Sequence, residues 1–144
     1  MLKIAIVDGM GGGIGSQLIV QLRQELGSQV EIIALGTNST ATTMMMKSGA
    51  DRGATGENAI RVNLQNVDYV MGPIGIIIPD ALMGEITANI AQEIVLQNCH
   101  KILLPIHQSH IELIGLENRP LNSVIKDSVG KIKKILQDHQ YNQR

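Results

Sequence analysis

Five glycines crowd the seven positions Gly9–Gly15 of the segment Asp8-Gly9-Met10-Gly11-Gly12-Gly13-Ile14-Gly15. The run before it, Leu2 to Val7, is short and apolar with almost no polar face, as in a strand buried on both sides. The run after it changes period: Ile14, Leu18, Ile19, Leu22 and Leu26 share one helical stripe, and Gly27 stands where a left-handed cap would end it. A buried strand, a bare bend and an amphipathic helix form the opening unit of a nucleotide-binding α/β domain. Glycine lets the backbone turn tightly and approach a phosphate closely. The first-turn amides and the helix dipole then favour an anion.

The rest of the chain repeats the alternation. Val30–Leu35 reads as a second strand and Thr37–Ser48 as a helix started by Asn38 or Ser39. Residues 49–56 (GADRGATG) read as a loop, and Glu57–Leu64 as a short helix. Val67–Met71 and Lys101–Ile106 read as further strands, and Ile111–Leu116 as an edge strand. Ile76–Ile78 fits either a strand or a cleft wall. Leu82, Ile86, Ile90 and Ile94 recur at helical spacing behind Asp80 as a cap. Pro120 opens a last helix whose buried face is Leu121, Val124, Ile125, Val129, Ile132, Ile135 and Leu136. No linker or repeat divides the chain. The expectation is one Rossmann-like three-layer α/β domain over residues 1–144, with a polar tail from about 139. Its mostly parallel sheet has about five strands, in the order 3-2-1-4-5.

Composition narrows the function classes. Twelve basic against thirteen acidic residues give a net charge of −1, and aromatics are 1% of the chain, so neither a basic nucleic-acid surface nor a base-stacking platform is expected. The lone Cys99 cannot build a disulfide framework. The start, MLKIAIVDG, lacks the apolar core of a signal peptide, and the longest uncharged apolar run, Tyr69–Pro79, is too short to span a bilayer. These readings point to a cytoplasmic protein with no nucleic-acid or membrane partner. Between Val62 and His100 there is no Lys or Arg. That apolar stretch reads as a central strand with its packed helix, or as a helix buried between subunits of a homo-oligomer.

The loop has no Gly-Lys-Ser/Thr and so is not a Walker P-loop. Gly9, Gly13 and Gly15 space as G-x-x-x-G-x-G, which resembles the cofactor loop of short-chain dehydrogenases with Asp8 at their Thr position. Asp8 would repel a phosphate unless a metal bridges the two or its carboxylate caps loop amides, the simpler role. A Tyr with Lys four residues on, the pair those enzymes need, is absent: Pro73 follows Tyr69 at that offset. An NAD domain carries an acid at the end of its second strand for the ribose. Here stand Gly36, Thr37, Asn38 and Ser39, which suit ribose, phosphate or helix capping, so NAD, NADP and other nucleotides stay open as cofactors. Gly72, Pro73, Ile74 and Gly75 follow the third apolar strand at the same edge. His107 and Gln108 follow the fourth, which makes His107 the best acid–base candidate, with Glu57 second and Asn58 beside it. His107 and His110 space as H-x-x-H without a third ligand, so no metal is expected. Cys99–His100 reads as a helix end, and Lys126, Lys131, Lys133 and Lys134 as a solvated helix face.

Taken together, DGMGGGIG, ALGTN, GADRGATGENAI and GPIG resemble a bacterial family catalogued as a domain of unknown function, made of short single-domain Rossmann-like proteins. The resemblance runs to about Leu121, and GATGENAI is its most specific part. It implies the fold and a cytoplasmic bacterial protein, and it transfers no catalytic residue. The residues themselves lead to a phosphate-bearing ligand on Gly9 and Gly11–Gly15, walled by Gly36–Asn38, Gly72–Gly75, His107 and Gln108. The rivals are a non-catalytic oligomeric regulator or scaffold, and an NAD(P)-linked enzyme.

Overall fold

The computed structural model describes residues 1–106, 108 and 110–142, with only the backbone of Tyr141. The chain runs β1 (Leu2–Asp8), α1 (Gly13–Leu26), β2 (Val30–Gly36), α2 (Ser39–Lys47), β3 (Arg52–Thr55), α3 (Glu57–Leu64), β4 (Tyr69–Pro73), α4 (Ala88–Leu96), β5 (His100–Leu104) and α5 (Leu121–Asn142). The five strands form one sheet in the order β3-β2-β1-β4-β5, and every neighbouring pair is parallel. The expected α/β architecture and the order 3-2-1-4-5 are those of the molecule, but the strands that fill the order shift: Arg52–Thr55 is the third, Tyr69–Pro73 pairs with β1 as the fourth, and His100–Leu104 is the fifth.

Alternation along the central strands divides the core in two. Ile4, Ile6, Ile32 and Ala34 face one side, where Leu18, Ile19 and Leu22 of α1, Met45 of α2 and Ile125, Val129 and Ile132 of α5 cover them. Ala5, Val7, Ile33 and Leu35 face the other, under Ile60 and Leu64 of α3 and Ile90 and Ile94 of α4. Fully burying a side chain of this size stabilises by about 1.5–3 kcal/mol. Within the cation-free stretch 62–100, the buried residues of β4 and one face of α4 are thus internal core. Val95 and Leu96 at the end of α4 remain outside it, half to two-thirds exposed.

Four local readings change. Residues 49–56 are not all loop: Arg52–Thr55 pair in parallel with Ile33–Gly36 as the edge strand β3. After Arg52 its residues are small, and α2 lies directly on Gly53: a Cβ there would come within 2.8 Å of Met46 Sδ. Asp80 caps no helix. Ile74–Ile77 forms a 3₁₀ turn, a run of turns follows, and α4 starts only at Ala88, where Thr87 Oγ1 accepts the Ile90 amide at 3.0 Å. Ile111–Leu116 forms no strand beyond one antiparallel bridge of Ile111 to Gln108. Finally, α5 holds through Asn142, beyond the expected fraying point at His139.

Candidate functional site

The turn from β1 into α1 is built around Asp8, which is 4% exposed. Its Oδ1 accepts the Gly9 amide and its Oδ2 the Gly15 amide, each at 2.8 Å. This is the capping role expected of it. Burial, the largest influence, lifts the Asp8 carboxyl above its ordinary value against the pull of amide bonds from Gly15, Gly9 and Ile14; the nearby Glu85 charge lifts it further. The Gly12 amide closes the bend onto Gly9 O at 2.9 Å.

The glycines divide by what they meet. Gly12 sits at φ 74°, in the left-handed region, and a Cβ there would lie 2.9 Å from the Ala41 backbone. On Gly9 it would strike Thr37 Oγ1 and on Gly15 Met45 Sδ, both at 2.5 Å. Gly11 and Gly13 meet nothing within 4 Å. Among the described residues no group accepts a hydrogen bond from their amides. Packing therefore accounts for three of the five glycines and leaves Gly11 and Gly13 facing open space at the start of α1.

Beside that start lies a hollow of about 770 Å³, walled by Ile14 of α1, Ile74 after β4, Pro105, Ile106 and Gln108 after β5, and the segment from Ile111 to α5. Its position is the carboxyl edge of the sheet where strand order reverses, the usual ligand crevice of open α/β sheets. Its size is that of a small-molecule site. Arg119 on its rim is held by Asp127 at 2.5 Å. A second hollow of about 780 Å³ opens among Leu2, Tyr69, His100 and Leu136, near the amino ends of β1 and β5, remote from the glycine bend.

The expected site residues are only partly brought together. Ile14, Ile74 and Gln108 meet at the cavity, and Gln108 packs so closely on Gly75 that a Cβ there would lie 2.9 Å from its Nε2. Gly72 and Pro73 are buried in β4, and a Cβ on Gly72 would overlap Val7 O, so Gly72 serves strand packing. Gly36 is closed in by Thr42 in the same way. Thr37 and Asn38 are engaged elsewhere: Thr37 Oγ1 and Asn38 Nδ2 donate to Glu85 Oε1 at 2.6 and 2.7 Å. Glu57 does not line the cavity, because its carboxylate accepts Thr87 Oγ1 at 2.8 Å and so ties α3 to α4; Asn58 accepts Arg61 on the surface. His107 lies outside the described residues. Among the described residues no three metal-ligating side chains converge.

Glu85 itself escaped the sequence reading. It also accepts the Met10 amide at 2.9 Å. Partial burial acts to raise its pKa, but the bonds from Thr37, the Met10 amide and Asn38 together hold the carboxyl below its ordinary value. The available signal was an acid just after Gly84, in a stretch with almost no charge.

A parallel 3-2-1-4-5 sheet, with helices on both faces and a glycine bend opening the first of them, defines a Rossmann-like α/β domain. The chain belongs to the family described as Domain of unknown function (DUF3842), whose model matches residues 3–137. No curated protein matches it. Among solved structures it is similar to a dodecameric FMN-dependent UbiX-like decarboxylase from Escherichia coli O157:H7. The identity is 16%, over 92% of this chain and 76% of that one, with a TM-score of 0.42. Among the described residues no helix is long and apolar enough to cross a membrane.

Proposed function

We propose that the chain binds a nucleotide or other phosphorylated small molecule, with the phosphate on the Gly11 and Gly13 amides and the body in the cavity beyond Ile14. The observation that carries this reading is the pair of glycines that packing does not require, set where a helix starts beside a ligand-sized hollow. Amides and the helix dipole do the holding, since Asp8 and Glu85 are the charges nearest the bend and both are negative. Affinity should then depend only weakly on salt. Ile74 and Gln108 supply the wall.

A thermal-shift screen with NAD, NADP, ATP, FMN and sugar phosphates tests it. A ligand present at a hundred times its Kd stabilises by about 2.7 kcal/mol. Gly13→Val should leave the ligand-free melting temperature nearly unchanged, because a Cβ there meets nothing, and should abolish the ligand shift. Equal shifts in variant and parent would remove the phosphate from this bend.

The exposed apolar residues that wall the cavity favour a homo-oligomer as part of the same reading. Ile114 is 90% exposed and Leu116 57%.

A further inference from the structure

A dinucleotide lies across the crevice of a Rossmann-like sheet. Its pyrophosphate rests on the glycine bend, and the ribose of one nucleotide is held at the end of the second strand. In this chain only the β4–β5 half of that crevice is open. The β2 half is filled by the turn between β4 and α4. Glu85 Oε1 takes three donors there: Thr37 Oγ1, Asn38 Nδ2 and the Met10 amide, at 2.6, 2.7 and 2.9 Å. Leu82 stands beside it, and a Cβ built on Gly9 would lie 3.0 Å from Leu82 Cδ1 and 2.9 Å from Glu85 Oε1. Thr37 and Asn38, which the end of β2 could offer a ribose, are therefore spent on the protein's own carboxylate.

The turn is also held in shape. The Asp80 amide donates to Ile86 O at 2.7 Å and the Gly84 amide to Asp80 O at 3.1 Å, while Ile86 is fully buried. Asp80, Leu82 and Met83 all sit at φ between 55° and 67°. Non-glycine residues pay about 1–2 kcal/mol each for that region and keep it only where the surroundings demand it.

We propose that the Asp80–Glu85 turn is a selectivity element: it occupies the place of a second nucleotide, so the chain accepts ligands with one nucleotide or one phosphorylated head group and rejects dinucleotides. This rests on the reading that a phosphate occupies Gly11 and Gly13. Charge acts in the same direction, because a pyrophosphate laid over Gly9 would lie between the carboxylates of Asp8 and Glu85.

Calorimetric titration with AMP and FMN against NAD and FAD tests it on the parent chain, Glu85→Ala, Leu82→Ala and Gly13→Val, each first checked for cooperative melting. The parent should bind at least one mononucleotide about tenfold or more tighter than either dinucleotide. Glu85→Ala or Leu82→Ala should narrow that gap about tenfold by gaining dinucleotide affinity, with mononucleotide affinity kept. Hydrogen exchange gives a second readout: the Met10 amide should stay protected in the mononucleotide complex. Equal binding of NAD and AMP by the parent would overturn the selectivity and leave the phosphate site standing. So would continued exclusion of dinucleotides by both folded variants, or loss of Met10 protection on mononucleotide binding. If no probe binds any form, or if Gly13→Val binds like the parent, the phosphate site itself falls, and the selectivity with it.

Discussion

At the scale of single residues, neighbouring glycines carry opposite expectations. Gly12→Ala forces a side chain into the left-handed region and against the Ala41 backbone at 2.9 Å. A loss of about 1–3 kcal/mol follows, or roughly 3–10 °C in a melt of a chain this size. Gly11→Ala meets open space and should melt within about 2 °C of the parent, since surface changes of this kind usually stay within about 0.5 kcal/mol. The same contrast holds for charge. Glu85 has a lowered carboxyl, so its contribution to stability is present at neutral pH and is lost as pH falls through that lowered value. Glu85→Gln should therefore melt below the parent at pH 7, and the two curves should converge in acid. Asp8, lifted by burial, has the opposite sign: its ionisation costs stability as pH rises through its raised value. A Glu85→Gln deficit that persists unchanged in acid would mean the bonds to Thr37 and Asn38 do not depend on the charge.

At the scale of elements, β3 is held less by its own sequence than by one side chain next to it. Asp51 Oδ2 accepts the Ile32 amide at 2.8 Å and Arg23 Nη2 at 2.6 Å, while Arg23 also reaches Gly49 O and Val30 O. Asp51→Ala should cost about 1–3 kcal/mol and speed hydrogen exchange at the Ile32 amide before that of β1 and β4. This dependence explains what the sequence hid. β1, β2, α1 and the face of α5 announce themselves by hydrophobic period, because burial selects each of their side chains. β3 is a four-residue edge strand in which Gly53 is pressed under α2 and Ala54 and Thr55 are small, so neither alternation nor apolar bulk marks it. The region from Asp80 to Ile94 failed in the other direction. Ile86, Ile90 and Ile94 are all core, and their four-residue spacing imitates one helix. Only Ile90 and Ile94 are helical, however, while Ile86 is anchored by the left-handed turn that carries Glu85. The candidate site was legible where it depends on backbone, in the glycine bend and the loops after β4 and β5. It was hidden where a distant side chain arrives over the end of β2.

At the scale of the whole molecule, the cavity proposed for the ligand has one weak wall. The sheet edge and α1 form its inner side, but the outer side is the segment from Ile111 to Arg119, which has no regular structure and turns Leu113, Ile114 and Leu116 largely to solvent. Ordering such a segment costs about 1–2 kcal/mol per residue in backbone entropy, and little burial offsets it here. A neighbouring copy that covers Ile114 and Leu116 would supply that burial and close the cavity from outside, so ligand binding and self-association should be linked. Sedimentation velocity should then show the parent chain as an oligomer. Ile114→Glu should shift it toward monomer, because a charge placed in an apolar contact goes unpaired. The substitution leaves the internal core untouched, so the variant should keep its far-ultraviolet circular dichroism while it loses ligand affinity as the outer wall loosens. A parent chain that sediments as a monomer at every concentration would break the link. The exposed segment would then have to be stabilised by the ligand alone.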